Sequence, residues 1–168
     1  MSVEFYHARS KCGRQVPFID RSKGSIAGHS CSYHTFDTVR DRICAHFNPR
    51  LSVLWGSLYL MHKYEDEIVS LCNKHVPKPL HILLYQPDCD GSLTSNQCRR
   101  ILNSLKDHSF DDYEDVGGCV IEEVYPWNGM LKFYNNSHLN ETFYKCATRY
   151  LMNAMRYCAE RNRCMIWG

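Results

Sequence analysis

No two cysteines in this chain are spaced as a CxxC pair, although ten of its 168 residues are cysteine and nine are histidine. Structural zinc sites usually contain two such closely spaced ligand pairs. Their absence argues against a zinc ribbon and against the thioredoxin type of redox motif. A disulfide framework is not expected either, because a chain of this length can bury a core without one. We predict no metal and no cofactor.

Long apolar runs and a secretory signal are also lacking. The stretch LSVLWGSLYLM stops at His62 and Lys63, well short of the about 18 apolar residues of a membrane-spanning helix. The N-terminal segment MSVEFYHARSKCGRQ has no apolar region of the secretory type. We therefore expect a protein of the cytoplasm or nucleus, neither secreted nor bound to a membrane, whose thiols are mostly reduced.

Net charge is low, at +2, and its distribution is uneven. Residues 1–63 carry nine Lys/Arg against four Asp/Glu, whereas residues 64–168 carry eleven against fourteen. The basic N-terminal half is therefore a candidate surface for a nucleic acid or an acidic partner. The hydrophobic content of 44% and the aromatic content of 12% indicate an ordered globular protein.

The N-terminal half, residues 1–76, is predicted to contain an irregular segment followed by two helices. Two β-like pieces, VEFYHA and QVPFID, lie among glycines and a proline. Apolar residues recur at helical spacing from about Tyr33 to Phe47, and Asn48-Pro49 would end this helix. A second helix is predicted from about Leu51 to Lys74.

The C-terminal half, residues 79–168, reads as strand–helix–strand–strand–helix–strand. HILLYQ (His81 to Gln86) is the first predicted strand, and Thr94 with Gln97 forms a capping box that opens a helix. CVIEEVY and MLKFY are joined by an Asn-Gly turn, a long helix spans about Leu139 to Glu160, and RCMIW is the last strand. This β-α-β-β-α-β order is ferredoxin-like. We predict an α+β fold with one domain, residues 1–168, in which the N-terminal helical half packs on the ferredoxin-like half.

Several cysteines fall on or beside the apolar stripes of these helices. A buried free cysteine behaves as a small hydrophobic residue, so their predicted role is packing. The four are Cys72, Cys98, Cys146 and Cys158.

Two places in the sequence contain residue types that can bind a metal. The densest cluster of cysteine and histidine lacks the spacing of zinc ligand pairs; it comprises His29, Cys31, His34, Cys44 and His46. The segment from Asp88 to Thr94 has part of an EF-hand pattern, but Gln86 and Gln97 stand where the pattern requires carboxylates. Neither place is predicted to hold a metal.

Cys31 is the strongest candidate for a reactive residue. It follows a glycine-containing loop, GSIAGHSC, and immediately precedes the first predicted helix. A helix N-terminus lowers the pKa of a thiol and can bind an oxyanion. His81 is the preferred base, with Asp88 or Asp90 to orient it. Weaker candidates for the base are His29, His34 and His108.

This arrangement resembles the papain-type cysteine proteases, with Tyr33 shortly after the cysteine and His81 at the head of a strand. The resemblance implies a papain-like cysteine hydrolase with Cys31 as nucleophile, His81 as base and Asp88 as the orienting acid. Small viral leader proteases of this class have similarly short chains, and some end at a glycine left by self-cleavage, as this chain ends in Gly168. Ser32 stands where the family usually has Trp or Tyr.

The preferred interpretation is a protein that is not an enzyme. We predict a small intracellular binding or regulatory protein, of viral origin if the resemblance holds. It would contact a protein partner, a second copy of itself through its sheet, or a nucleic acid through the basic N-terminal half. The strand MLKFY supplies only part of the basic and aromatic pattern of an RNA-recognition sheet. The hydrolase using Cys31, His81 and Asp88 is the alternative.

Overall fold

A computed structural model describes residues 2–17, 30–55, 57–87, 89–108, 148 and 151–168. These residues form helices packed on an antiparallel sheet, which is the predicted α+β class. The strands are β1 (Ser2–Ala8), β2 (Val16–Pro17), β3 (Ser30–Ser32), β4 (Gly91–Leu93) and β5 (Cys164–Trp167). The helices are α1 (Tyr33–Ala45), α2 (Pro49–Leu54), α3 (Leu58–Lys63), α4 (Glu65–His75), α5 (Lys78–Leu84) and α6 (Ser95–Leu105). Residues 151–161 form a further helix, called here the C-terminal helix.

The sheet joins the two ends of the chain. Its order is β2-β1-β5-β4, with β3 also paired to β1, and all pairs are antiparallel. Phe5 of β1 lies opposite Trp167 of β5. The strands predicted at VEFYHA and RCMIW are therefore confirmed, and they pair with each other.

Three aromatic rings lie at the centre of the core. Phe36 of α1 contacts Phe5 with 5.2 Å between ring centroids, and it contacts Trp167 at 5.3 Å. The buried Trp167 indole donates a hydrogen bond of 2.9 Å to the carbonyl of Pro87. A side chain at Gly91, directly opposite Trp167, would overlap the indole. The sheet and α1 are thus fixed together by ring contacts that local sequence patterns do not reveal.

The predicted second helix, from Leu51 to Lys74, is wrong as a single element. Three helices, α2, α3 and α4, occupy this range. Asn48 begins α2 because its side chain accepts the Arg50 N–H, while Pro49 occupies the first turn, where no hydrogen-bonded N–H is required. The helical spacing of apolar residues continues across the breaks at Trp55 and Tyr64, so periodicity alone missed them.

The strand predicted at His81 to Gln86 is also wrong, because most of it belongs to α5. Pro79 lies in the first turn of this helix, where proline is tolerated. Leu80 and Leu83 are fully buried, as expected for two positions on one helical face. A short apolar run between prolines fits both a strand and a helix, and the helix is the observed outcome.

The strand before α6 is β4 (Gly91–Leu93), which follows the segment predicted as a strand at His81 to Gln86. The capping box of Thr94 and Gln97 that opens α6 is confirmed, with both hydrogen bonds present. The β4 edge away from β5 is covered by a side chain. Gln86 accepts the Ser92 N–H at 2.6 Å and donates to the Ser92 carbonyl at 2.8 Å. This amide occupies the positions that a neighbouring strand would use.

The end of the C-terminal helix is sharply defined. Asn162 has a φ of 51°, and the Arg163 N–H donates to the Cys158 carbonyl at 3.0 Å. This hydrogen bond across a left-handed residue is the pattern of a Schellman C-cap. The earlier part of the predicted Leu139–Glu160 helix is described only at residue 148, which is helical. The strands predicted at CVIEEVY and MLKFY lie outside the described residues.

Candidate functional site

The cysteines on the helical stripes are mostly in the core. Cys72, Cys98 and Cys158 are at most 1% exposed, as predicted. Cys44 and Cys164 are also buried, whereas Cys146 lies outside the described residues. All of these described cysteines are free thiols, as are the exposed Cys12 and Cys89. Packing is therefore the principal role of cysteine in the part of the chain that the structure covers.

The buried thiols form two groups. The Cys72 thiol contributes to the raised pKa of Cys44, and the Cys98 and Cys164 thiols contribute to that of Cys158. Burial is the largest cause in each case, and it raises the pKa of Cys98 to about 12. Since the thiolate is the nucleophile and the metal ligand, the raised pKa values of Cys44, Cys98 and Cys158 make these three thiols unreactive at neutral pH.

No three side chains of histidine, cysteine, aspartate or glutamate are arranged to hold a metal ion among the described residues. Two residues of the Cys/His cluster have described side chains. Cys44 is 1% exposed. The pKa of His46 is lowered, first by partial burial of the ring and then by His108 and Arg42. His29 lies outside the described residues.

His81 binds the end of a neighbouring helix. Its Nε2 atom lies 2.9 Å from the Val76 carbonyl and 3.2 Å from the Cys72 carbonyl. Because both partners only accept, Nε2 is the nitrogen that carries the proton in the neutral ring. The Cys72 carbonyl, which also accepts the Val76 N–H, lies in the last turn of α4, and the Val76 carbonyl lies at its C-cap. His81 therefore binds the C-terminal end of α4.

Cys31 lies in β3, opposite Val3 and two residues before α1. His81 lies near the other end of α1, because its partner Cys72 is beside Cys44 in the last turn of that helix. The 13 residues of α1 span about 20 Å. A nucleophile and its base must come close to hydrogen-bonding distance, so these contacts favour a packing role for His81. Asp88 lies outside the described residues.

Three of the weaker candidates fall among the described residues. The His108 ring packs edge-on against Phe47, with 4.4 Å between centroids. Asp90 is exposed beside β4. His34 lies in the first turn of α1.

Sequence reasoning missed Arg40, a buried cation that is 3% exposed. Its guanidinium donates to the Gln86 carbonyl at 2.6 Å and to the Leu83 carbonyl at 3.3 Å, and it forms an ion pair with Asp37. It also lies 4.4 Å from the centroid of the Phe36 ring. Arg40 thus joins α1 to the end of α5. Its position four residues after Phe36, on the apolar stripe of α1, was the available signal.

Aromatic rings and cations alternate on the surface of α2, α3 and α4. Lys63 Nζ lies 5.6 Å from the Tyr59 ring and 5.3 Å from the Tyr64 ring. The Arg50 guanidinium lies 5.5 Å from the centroid of the same Tyr64 ring, and it donates a 2.9 Å hydrogen bond to Glu67. Tyr59 is 68% exposed. Arg50, Tyr59, Lys63 and Tyr64 form a continuous surface, called here the tyrosine–cation patch.

Two further findings bear on the function of the chain. Among the described helices, none combines the length and the apolar character that a membrane span requires. No protein family, no curated protein and no solved structure matches this chain significantly.

Proposed function

We propose that this chain is a small binding protein that contacts a protein partner through the tyrosine–cation patch. The observation that carries the proposal is the exposure of Tyr59, at 68%, within a continuous set of ring–cation contacts. Tyrosine and arginine are enriched at protein interfaces and at their energetic centres. Cations held against rings lose little further freedom when a partner covers them.

The charges around the patch favour a protein over a nucleic acid at this surface. Glu65, Asp66 and Glu67 form the acidic first turn of α4, which begins directly after Tyr64. A phosphate backbone would meet these carboxylates together with Arg50 and Lys63. A protein partner can present charges of both signs and match them.

The exposed apolar side chains of the described residues lie on the same group of helices. Val53, Tyr59, Val69 and Tyr85 are 44–68% exposed, and they belong to α2, α3, α4 and the end of α5. Of these four, Tyr59 belongs to the patch. Val69 is two residues after Glu67 on α4 and therefore lies on a different face of that helix from the Arg50–Glu67 pair.

A second copy of the chain is a less favoured partner, at least through the sheet. Edge strands pair with other chains through unpaired backbone groups. The Gln86 side chain already binds the N–H and the carbonyl of Ser92 at the β4 edge away from β5. On the opposite edge, β2 is only two residues long and one of them is Pro17. Two of the described edge strands, β4 and β2, are thus poor templates for dimerisation.

We also propose that the protein works in a reducing compartment, the cytoplasm or the nucleus. The support is that neighbouring buried cysteines remain free, both Cys44 with Cys72 and Cys98 with Cys158 and Cys164. Disulfides are rare where thiols are kept reduced.

The ferredoxin-like arrangement of the C-terminal half remains part of the proposal in an altered form. β4 takes the role of first strand in place of His81 to Gln86. Its antiparallel pairing with β5 and the helix that follows it are consistent with this order. The proposed middle hairpin lies outside the described residues.

The hydrolase remains the alternative, and electrophile labelling separates it from a binding protein. An activated Cys31 would be alkylated selectively at neutral pH by iodoacetamide, and His81→Gln would remove that selectivity. We expect instead that Cys12 and Cys89 react first, because they are exposed. Labelling concentrated at Cys31 would overturn this expectation.

The patch is tested by affinity purification of the tagged chain from its native cells. We compare the natural chain with Tyr59→Ser/Lys63→Ser and with the control Arg100→Ser, an exposed residue on α6. A specific partner is expected to be enriched by the natural chain and the control, and the double substitution is expected to weaken its affinity at least about tenfold. Equal enrichment by all three chains would contradict the proposal.

A further inference from the structure

Basic residues gather at one end of the sheet, remote in sequence from the tyrosine–cation patch. The turn between β1 and β2 is closed by a 3.0 Å hydrogen bond from the Gly13 N–H to the Ser10 carbonyl. Arg9 and Arg14 flank this turn, and Lys11 lies within it. All three are exposed.

The strand register places a third arginine beside them. Ala8 of β1 lies opposite Cys164 of β5, so the next residues, Arg9 and Arg163, continue the same alignment. On the other side of β1, His7 lies opposite Val16, and two further steps bring Arg9 opposite Arg14. Arg14, Arg9 and Arg163 therefore lie side by side, just beyond the ends of β2, β1 and β5.

The positive charge extends onto the C-terminal helix. Arg161 is exposed, and its guanidinium lies 4.1 Å from the centroid of the Tyr157 ring. Together, Arg9, Lys11, Arg14, Arg161 and Arg163 are called here the basic end. The carboxylate recorded beside it among the described residues is Glu160, 3.9 Å from Arg161. Both side chains of that pair are more than half exposed, so their attraction is weak.

The positive charge of the basic end also affects His7 of β1. The pKa of His7 is lowered, first by burial and then by Arg163 and Arg161. The His7 ring packs against Tyr157, with 4.9 Å between centroids. Arg161 and Arg163 therefore lie near His7 of β1, which agrees with the strand register.

The backbone that carries Arg161 and Arg163 is fixed by hydrogen bonds. Asn162 between them adopts its left-handed conformation, and its side chain accepts a hydrogen bond from Arg99 of α6. Arg99 also donates to the Ala159 carbonyl at 3.1 Å. Holding like charges close together in this way costs electrostatic energy, which a bound anion would offset.

We infer that the basic end binds the phosphate backbone of a nucleic acid. Three adjacent strands are about 10 Å across, and each strand of a duplex carries one phosphate for about every 3.4 Å of helix axis. Arg9 and Arg14 are exposed and Arg163 is partly exposed, so this row of cations can meet a repeating anion. This contact is separate from the protein-binding surface proposed above, and either can fail alone.

Other polyanions fit less well. Membrane-surface binding generally adds apolar anchors to basic charge, but the exposed large apolar residues of the described chain all lie between residues 53 and 85. An acidic protein would present carboxylates without the regular spacing of phosphates. Contacts to phosphates alone carry no base readout, so binding is expected to be independent of sequence and strongly dependent on salt.

The test is fluorescence anisotropy with labelled 20-nucleotide RNA and DNA, single- and double-stranded, in two unrelated sequences. We expect similar binding of both sequences and a linear fall of log affinity with log salt concentration. Arg9→Gln/Arg14→Gln/Arg163→Gln should weaken binding at least about tenfold and lower the salt slope by about one per lost phosphate contact. Lys74→Gln/Lys78→Gln/Arg100→Gln, with the same change in charge at exposed sites, should retain it. Circular dichroism checks that both variants fold.

Polyglutamate and vesicles with anionic lipid serve as competitors. Competition by either at the concentration of charge at which RNA competes would overturn the assignment to nucleic acid, as would equal losses in the two triple variants or no binding at low salt. A footprint provides a second readout. Nucleic acid should slow alkylation of Cys12, within the basic turn, and leave that of the equally exposed Cys89 unchanged; equal slowing of both would contradict the inference.

Discussion

A single buried guanidinium joins two helices in this protein. Arg40 forms hydrogen bonds to two carbonyls near the end of α5, an ion pair with Asp37 and a ring contact with Phe36. The carbonyls of a helix end need partners when they are buried. The contacts of this arginine therefore give it a structural role.

Replacing Arg40 with alanine should lower the free energy of unfolding by about 2–4 kcal/mol, because the Leu83 and Gln86 carbonyls lose a charged donor and the Phe36 ring loses a packed side chain. Urea denaturation followed by circular dichroism measures the change. Arg100→Ala, at an exposed position on α6, is the matched control and should stay within about 0.5 kcal/mol. A loss at Arg40 no larger than at Arg100 would show that the buried contacts contribute little.

Residue patterns predicted some sites and failed at others for identifiable reasons. The placement of Cys72, Cys98 and Cys158 follows from helical spacing, which is local. The contacts of His81 and Arg40 depend on which helix packs against which, and local patterns in the sequence do not reveal that packing. The Cys31–His81 pairing is a long-range hypothesis of the same kind and stays a prediction.

The elements with strong local signals are those that the sequence predicted best. The capping box of Thr94 and Gln97 and the first helix from Tyr33 are present as expected. The apolar run HILLYQ carried no such signal, since its length fits either a strand or a helical turn. Tertiary packing of Leu80 and Leu83 decided in favour of α5.

The edge of β4 offers a test at the scale of one element. Gln86→Ala removes the side chain that binds the N–H and the carbonyl of Ser92, so the free energy of unfolding should fall by about 1–3 kcal/mol. Gln86→Glu keeps the acceptor for the Ser92 N–H but removes the donor to its carbonyl, and an intermediate loss is expected. Urea denaturation measures both variants, and analytical ultracentrifugation reports any self-association through the uncovered edge. Equal stability of all three chains would contradict the capping role.

At the scale of the whole molecule, the pairing of β1 with β5 ties the two ends of the chain into one sheet. This contact could not be predicted from periodicity, because it links residues separated by nearly the whole sequence. It also brings Arg9 and Arg163 together, so the basic end exists only in the folded chain. The prediction of a single domain, residues 1–168, would show as one cooperative unfolding transition.

The buried thiols make stability depend on pH. The native state keeps Cys98 protonated, because burial raises its pKa to about 12 from an ordinary 9.0. The stabilisation is therefore complete below pH 9 and is lost as the pH rises from 9 toward 12, since the unfolded chain releases the proton first. Between pH 9 and 10.5, Cys98→Ala should remove about 1–2 kcal/mol of the decline in unfolding free energy.

Cys12→Ala is the control for this effect, because Cys12 is exposed. Its decline with pH should match that of the natural chain. Urea titrations at a series of pH values compare the three proteins. An unchanged decline in Cys98→Ala would mean that Cys98 ionises as readily in the folded state as in the unfolded one.

The most direct measurement on the binding proposal is photo-crosslinking from the tyrosine–cation patch in native cells. A photoreactive phenylalanine analogue replaces Tyr59 in one chain and the exposed Arg100 of α6 in another. We predict one discrete crosslinked protein from position 59, its loss when Lys63 is changed to serine, and no such product from position 100. The same product from both positions, or none from position 59, would contradict the account.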